Sequence, residues 1–200
     1  VSGVGILSII FGGWSSESKY PLLGAVRGVN QKLSYEVAMA LALVAPIAVT
    51  GTFSLTEFVA YQNDHGWLLI VQPLAFCIFI VAAVAETNRA PFDLPEAETE
   101  LVGGFHTEYS SLKFSFYFFA EYANMFVSGM LAAVIFLGGW NLPEGVTTGG
   151  IAGDWALSMV WFFAKGYMFI LFLFWIRATF PRLRYDQLMA LGWKRMIPLS

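Results

Sequence analysis

Apolar and polar residues are distributed along this chain in long blocks rather than in short alternations. Four apolar blocks, at 33–53, 67–85, 114–137 and 155–176, each run for about the 20 residues that a helix needs to cross a bilayer. A further apolar run at 1–11 reads as the tail of a fifth span, and 196 onward as the opening of a sixth. Polar connections occupy 12–32, 54–66, 86–113, 138–154 and 177–195. This pattern predicts an all-α integral membrane protein, a polytopic bundle of transmembrane helices with four complete spans and partial spans at its ends. Residues 1–200 are expected to form a single membrane domain cut from a longer polypeptide, because the chain opens on Val1 inside an apolar run. Residues 1–12 lack the basic start and small-residue cleavage site of a signal peptide.

Composition agrees with the pattern. The apolar fraction is 58%, the mean hydropathy is +0.65 and only 12% of residues are charged, whereas a soluble domain carries about 25%. Charge then orients the bundle. Lys19, Arg27 and Lys32 lie in 12–32, Arg89 and Lys113 in 86–113, and Arg177, Arg182, Arg184, Lys194 and Arg195 in 177–195; with Lys165 they make up the 11 basic residues. The connections 54–66 and 138–154 contain none, so the three basic connections are expected on the cytoplasmic side of a bacterial cytoplasmic membrane. Trp14, Trp67, Trp140, Trp155 and Trp193 fall near expected span ends, where interfacial aromatics belong.

The acidic connection is the candidate for chemistry. Glu86, Asp93, Glu96, Glu98, Glu100 and Glu108 crowd between two spans with Arg89. Neighbouring carboxylates repel and raise one another's pKa, so such a cluster points to proton or cation handling or to docking of a partner. A short helix is expected to begin at Pro95, where first-turn acids suit the macrodipole, with Glu96 and Glu100 on one face and Glu98 on the other. Glu86 stands at a helix C-terminus, where the dipole disfavours a negative charge.

Three ionisable residues fall inside spans. Glu36 is expected about one turn into its helix and Glu121 about two turns in. Lys165 sits near mid-span, where an ionised group costs roughly 2.5–3.5 kcal/mol, so it is expected to face the bundle interior and meet a carboxylate or water. Glu36, Glu86 and Glu121 would then form a file of protonatable groups from the acidic connection toward the midplane. A purely structural ion pair for Lys165 and a dipole-favoured first-turn acid for Glu36 are the plainer alternatives. His65 and His106 are isolated, and the single Cys77 lies in an apolar run, so neither zinc nor an iron–sulfur cluster is expected on this chain alone. Tyr109, Tyr117 and Tyr122 read as packing or interface residues, the alternative being that one of them lines a ligand tunnel. The glycine-rich stretch around 138–154 reads as an exterior connector, since it lacks the Lys-Ser/Thr of a phosphate loop.

The run from Glu86 through Asn88-Arg89-Ala90-Pro91-Phe92-Asp93-Leu94-Pro95-Glu96 to His106 and Tyr109 closely resembles the signature loop of the H-subunit family of NADH:quinone oxidoreductase, respiratory complex I. Gly13-Trp14-Ser15-Ser16 through Arg27 to Ser34-Tyr35-Glu36, Phe119-Ala120-Glu121-Tyr122-Ala123-Asn124, and Trp175-Ile176-Arg177 through Met189 and Trp193-Lys194 resemble the same family, in the same order. The resemblance implies a membrane subunit that forms part of the quinone tunnel and of the charged path coupling quinone reduction to proton translocation. It implies roles there for Glu36, Glu86, Arg89, Asp93, Glu96, Glu98, Glu100, Glu121 and Lys165. Arg182, Arg184 and Asp186 are expected to dock the hydrophilic arm. Quinone is the implied substrate, while NADH, FMN and iron–sulfur clusters are implied only for partner subunits. Those partners are the quinone-site and terminal iron–sulfur-cluster subunits and neighbouring antiporter-like membrane subunits; no nucleic acid is expected. Other readings are the homologous anchor of a membrane-bound hydrogenase or of an oxidoreductase with another donor, a purely structural anchor, and a stand-alone cation transporter. The last would call for inverted repeats, and none is visible.

Overall fold

A computed structural model describes residues 2–93, 104, 107–142 and 151–200, and the described elements are helical. In chain order they are α1 (Ser2–Ser15), α2 (Lys19–Thr50), α3 (Leu55–His65), α4 (Leu68–Val71), α5 (Pro73–Glu86), α6 (Ser111–Phe136) and α7 (Ile151–Thr179). There follow α8 (Tyr185–Leu191), a π-helical turn at Gly192–Met196 and α9 (Ile197–Leu199). Glu96, Glu98, Glu100, His106, the helix expected at Pro95, and most of the glycine-rich connector lie outside the described residues.

Three described helices are long and apolar enough to cross a membrane: Lys19–Thr50, Ser111–Phe136 and Gly153–Thr179. The fourth expected span, 67–85, is divided into α4 and α5 at Gln72. Pro73 has no N–H to continue the ladder, and Gln72 takes φ −132° and ψ 64°. The break is held against α2 by a hydrogen bond from Gln72 Nε2 to the Ala45 carbonyl, at 3.1 Å. A broken apolar helix is tolerated in a membrane protein where other protein covers the break.

Two expected connections are also helical. α2 starts at Lys19 rather than near residue 33, and its 32 residues make it roughly 48 Å long, more than the hydrocarbon of a bilayer. Its first turns, with Lys19, Arg27 and Lys32, therefore extend beyond the apolar stretch. The segment 54–66 is largely α3, closed by Gly66 with its N–H on the Gln62 carbonyl.

Small residues let the helices approach. Ala38 and Ala42 of α2 and Ala82, Ala83 and Ala85 of α5 are fully buried where those helices pack. In the α6–α7 contact, a methyl group on Gly166 would meet Met130 Sδ at 2.6 Å and one on Gly129 would meet the Gly166 carbonyl at 3.1 Å. Phe136 of α6 stacks edge-on against Phe76 and tilted against Phe79 of α5, with centroids 5.2 and 5.5 Å apart. Phe169 of α7 joins the same cluster, 6.2 Å from Phe79.

Contacts sort the connections into two groups. At one end, Gln31 of α2 donates to the carbonyls of Ala85 and Phe92, at 2.9 and 2.7 Å. There too the Leu183 N–H bonds the Pro91 carbonyl, and Tyr109 donates to the Gly12 carbonyl. At the other end, Asn141 donates to the Val59 carbonyl and the Gly138 N–H to Gln62 Oε1. The three basic connections thus meet one another, as do the two that lack basic residues. The segment from Tyr185 onward lies back along α2: Tyr35 donates to the Leu188 carbonyl at 3.0 Å, and Trp193 Nε1 to Ser34 Oγ at 2.9 Å.

Candidate functional site

The C-terminus of α5 builds the site. Thr87 ends the helix, with its hydroxyl on the Val84 carbonyl at 2.8 Å, and Asn88 takes the left-handed conformation at φ 52°. Asparagine tolerates that conformation better than most residues, so the chain leaves the helix sharply here. The turn delivers Arg89 inward instead of to the surface, leaving it 7% exposed. Gln31 fastens both flanks of this turn through Ala85 and Phe92.

Arg89 is held on three sides. Its Nη2 lies 3.1 Å from Oε2 of Glu121 on α6, and its guanidinium carbon is 5.5 Å from the Phe118 ring centre and 4.9 Å from that of Tyr122. An aromatic face stabilises a guanidinium through the ring quadrupole, most strongly when water is excluded. Residues 118, 121 and 122 share one face of α6 by their i, i+3 and i+4 spacing, so a single helical surface supplies the carboxylate and both rings.

Beside this pair a cleft of about 580 Å³ opens among α1, α2, α5 and α6. Its polar lining includes Lys32 and Glu36 from α2, Glu86 and Asn88 from the end of α5, and Glu121 from α6. Ile9, Met39, Leu43, Phe79, Val127 and Leu131 supply apolar walls. Glu36, Glu86 and Glu121, separated in sequence, thus share one cavity. Glu36 lies much deeper in its helix than the expected single turn, between four and five turns from Lys19. Asp93 sits just beyond the turn, where its backbone carbonyl accepts a hydrogen bond from Arg182 Nη2.

Lys165 does not join this group. It is buried on α7, and its Nζ donates to the carbonyls of Leu137 and Gly139 at 2.7 and 3.0 Å, at the C-terminus of α6. The rings of Trp67 and Trp161 lie 5.6 and 5.5 Å from the ammonium. Two backbone carbonyls therefore accept hydrogen bonds from the ammonium that was expected to meet a carboxylate or water. A cation at a helix C-terminus offsets the negative end of the macrodipole, and indole faces complete its surroundings. Arg184 and Asp186 stand on the surface as an ion pair at 3.6 Å, with side chains 82% and 78% exposed.

Several residues of the site carry no sequence signal strong enough to single them out. Lys32 falls in what reads as a connection, yet it lines the cleft. Gln31 and Gln62 are buried amides that tie backbone ends together, and a lone glutamine announces nothing in a sequence. Gln62 uses both ends of its amide, donating to Val134 and accepting from Leu68 and Gly138. For Asn88 there was a usable hint, since asparagine after a helix-ending threonine suits a left-handed cap.

The chain matches known proteins along its whole length. The family model described as NADH dehydrogenase matches residues 1–200. A protein of Flavobacterium psychrophilum, named as the H subunit of NADH-quinone oxidoreductase, is 51% identical over 208 aligned positions, covering 100% of this chain and 59% of the relative. One of the same name from Flavobacterium johnsoniae is 49% identical, covering 100% of this chain and 58% of the relative. The chain spans a little under three-fifths of the length of these curated relatives. The match along its full length means that the chain belongs to the NADH dehydrogenase family.

Proposed function

We propose that this chain is the membrane-embedded part of a proton-translocating NADH:quinone oxidoreductase that links quinone reduction to proton movement. The observation that carries the reading is the shared cleft: Glu36, Glu86 and Glu121 meet in an apolar-walled cavity with Lys32, beside the buried Arg89–Glu121 pair. A charge arriving near several carboxyl groups that share one cavity acts on all of them at once. A doubly reduced quinone arriving near such a set would draw protons to it, converting redox chemistry into a change of charge inside the membrane. The relatives' name supplies the substrate class.

In this reading Asp93, Glu96, Glu98 and Glu100 belong to the proton path, and Arg89 balances Glu121 whenever that carboxyl is ionised. Lys165 adds a stationary positive charge farther along the bundle. Arg182, Arg184 and Asp186 dock the hydrophilic arm, which carries FMN, the iron–sulfur clusters and the quinone head-group site. Antiporter-like subunits receive the signal along the membrane. The basic connections face the cytoplasm of a bacterium.

The test is made on membranes containing the complete complex. Glu36→Gln, Glu86→Gln and Glu121→Gln each keep shape and hydrogen bonding while removing one titrating site. Each should lower quinone reduction and proton uptake relative to the rate with an artificial acceptor, which reports partner subunits alone. Undiminished quinone-linked proton uptake in all three would reject the reading.

A further inference from the structure

Asn88 has an ordinary structural explanation that covers only half of what it does. A helix commonly ends on a left-handed residue, and asparagine takes that conformation more readily than most, so φ 52° accounts for the backbone. It does not account for the side chain. Asn88 is 2% exposed, and its Oδ1 has no hydrogen-bond partner among the described residues. Glycine would serve the turn without burying an unsatisfied acceptor, and a buried acceptor without a donor is a cost that folded proteins avoid. Moreover, Asn88 lines the same cleft as Glu86 and Glu121. The donor for this oxygen is therefore sought in that cleft.

We propose that the Asn88 carboxamide holds a proton-carrying water molecule in the cleft shared by Glu86 and Glu121, acting as a neutral positioning residue of the proton path. The proposal rests on the reading of the cleft given above. Water suits the site because it can donate to the amide oxygen while keeping a lone pair and a second hydrogen for the carboxyl groups. In the step it serves, the water accepts a proton from one carboxylic acid and releases a different proton to a carboxylate. The amide gains and loses none; it only fixes the orientation of the water. The titratable and charged groups of the cleft are Lys32 and Glu36 from α2, Glu86 from α5, and Tyr117 and Glu121 from α6, with Arg89 paired to Glu121. The carboxyl groups among them would exchange protons through ordered water more readily than through bare apolar wall.

Two substitutions in the complete complex separate the amide from the turn. Asn88→Gly keeps the left-handed backbone and deletes the carboxamide. Quinone-linked proton uptake, normalised to the artificial-acceptor rate, should fall by up to about a hundredfold, the scale of a misplaced reaction partner. Asn88→Asp keeps an acceptor oxygen and tolerance of the turn but adds a titrating group among those named. It should retain turnover with a displaced pH profile, a readout that a turn-forming role alone would leave unmoved. Parental proton uptake in Asn88→Gly, or a parental pH profile in Asn88→Asp, would overturn the proposal; if the glycine variant fails to assemble, the aspartate profile decides. Glu121→Gln separates the two levels of inference. Its loss of pumping together with normal Asn88→Gly rejects only the role of Asn88, whereas normal pumping in Glu121→Gln rejects the cleft reading itself.

Discussion

The Arg89 guanidinium and the Glu121 carboxylate meet at 3.1 Å with side chains only 9% and 11% exposed. Removing one partner strands the other in a poorly solvated site, at a cost of roughly 3–5 kcal/mol. Arg89→Met and Glu121→Leu should each lower the amount of assembled complex and its thermal midpoint in detergent. The double variant should recover much of the stability while remaining poor in quinone-linked proton uptake. Equal stability of the singles and the double would show that the pair contributes nothing as a pair.

Gln31 offers a test of the frame rather than of the charges. Its Nε2 satisfies the carbonyls on both sides of the Arg89 turn. Gln31→Leu keeps most of the volume and leaves the Phe92 carbonyl without its donor, at about 1–3 kcal/mol, while the Ala85 carbonyl keeps the Asn88 N–H. Thermal unfolding of the complex should shift down, and Gln31→Glu should not restore it, because a carboxylate offers no donor. An unchanged midpoint in Gln31→Leu would mean that the turn holds itself.

Lys165 should behave as a structural cation. Lys165→Met leaves the Leu137 and Gly139 carbonyls unserved and removes the charge beside Trp67 and Trp161. Lys165→Arg should retain stability better than Lys165→Met. Comparing assembled amount with turnover per assembled complex gives the answer: loss of turnover at full assembly would place Lys165 on the proton path instead.

Sidedness can be read by labelling. In a Cys77→Ser background, since Cys77 is itself exposed, cysteines introduced at Arg184 and Asp64 should react from opposite faces of intact cells. The Arg184 position should be reached only from the cytoplasm. Reaction of both from one face would contradict the grouping of connections.

Arg184 and Asp186 make the converse case to Arg89. Their pair is so exposed that it contributes little to the stability of the chain. Arg184→Ala should leave the thermal behaviour of the chain unchanged while lowering the yield of complex with its hydrophilic arm attached. Turnover per assembled complex should stay near parental.

The helices were legible where one property decided them. Long apolar blocks gave α2, α6 and α7, because a bilayer demands length and hydrophobicity alone. The same blocks hid the break at Gln72, since Pro73 can begin a helix as readily as interrupt one, and only the Ala45 contact shows how the gap is covered. The polar composition of 19–32 concealed helix, because a membrane helix that projects from the lipid no longer needs apolar residues. For the site, ionisable residues in apolar surroundings drew attention to Glu36, Glu86 and Glu121, which the cleft brings together. The same signal drew in Lys165, which stands apart from them. Depth along a helix says nothing about which neighbour a side chain meets, and here two backbone carbonyls meet it. The acids at 96, 98 and 100 lie outside the described residues.

Five fasteners among the described residues have one chemical trait in common. Gln31 and Gln62 join helix ends to backbone through carboxamides, Tyr35 and Trp193 hold the returning segment through a phenol and an indole, and Lys165 grips carbonyls. No carboxyl group takes part in those five attachments. Those five attachments keep their donors and acceptors whatever the charge of the acids in the cleft. The proton traffic proposed for the cleft would thus leave these joints closed, as cargo moves through a building whose bolts are made of something else.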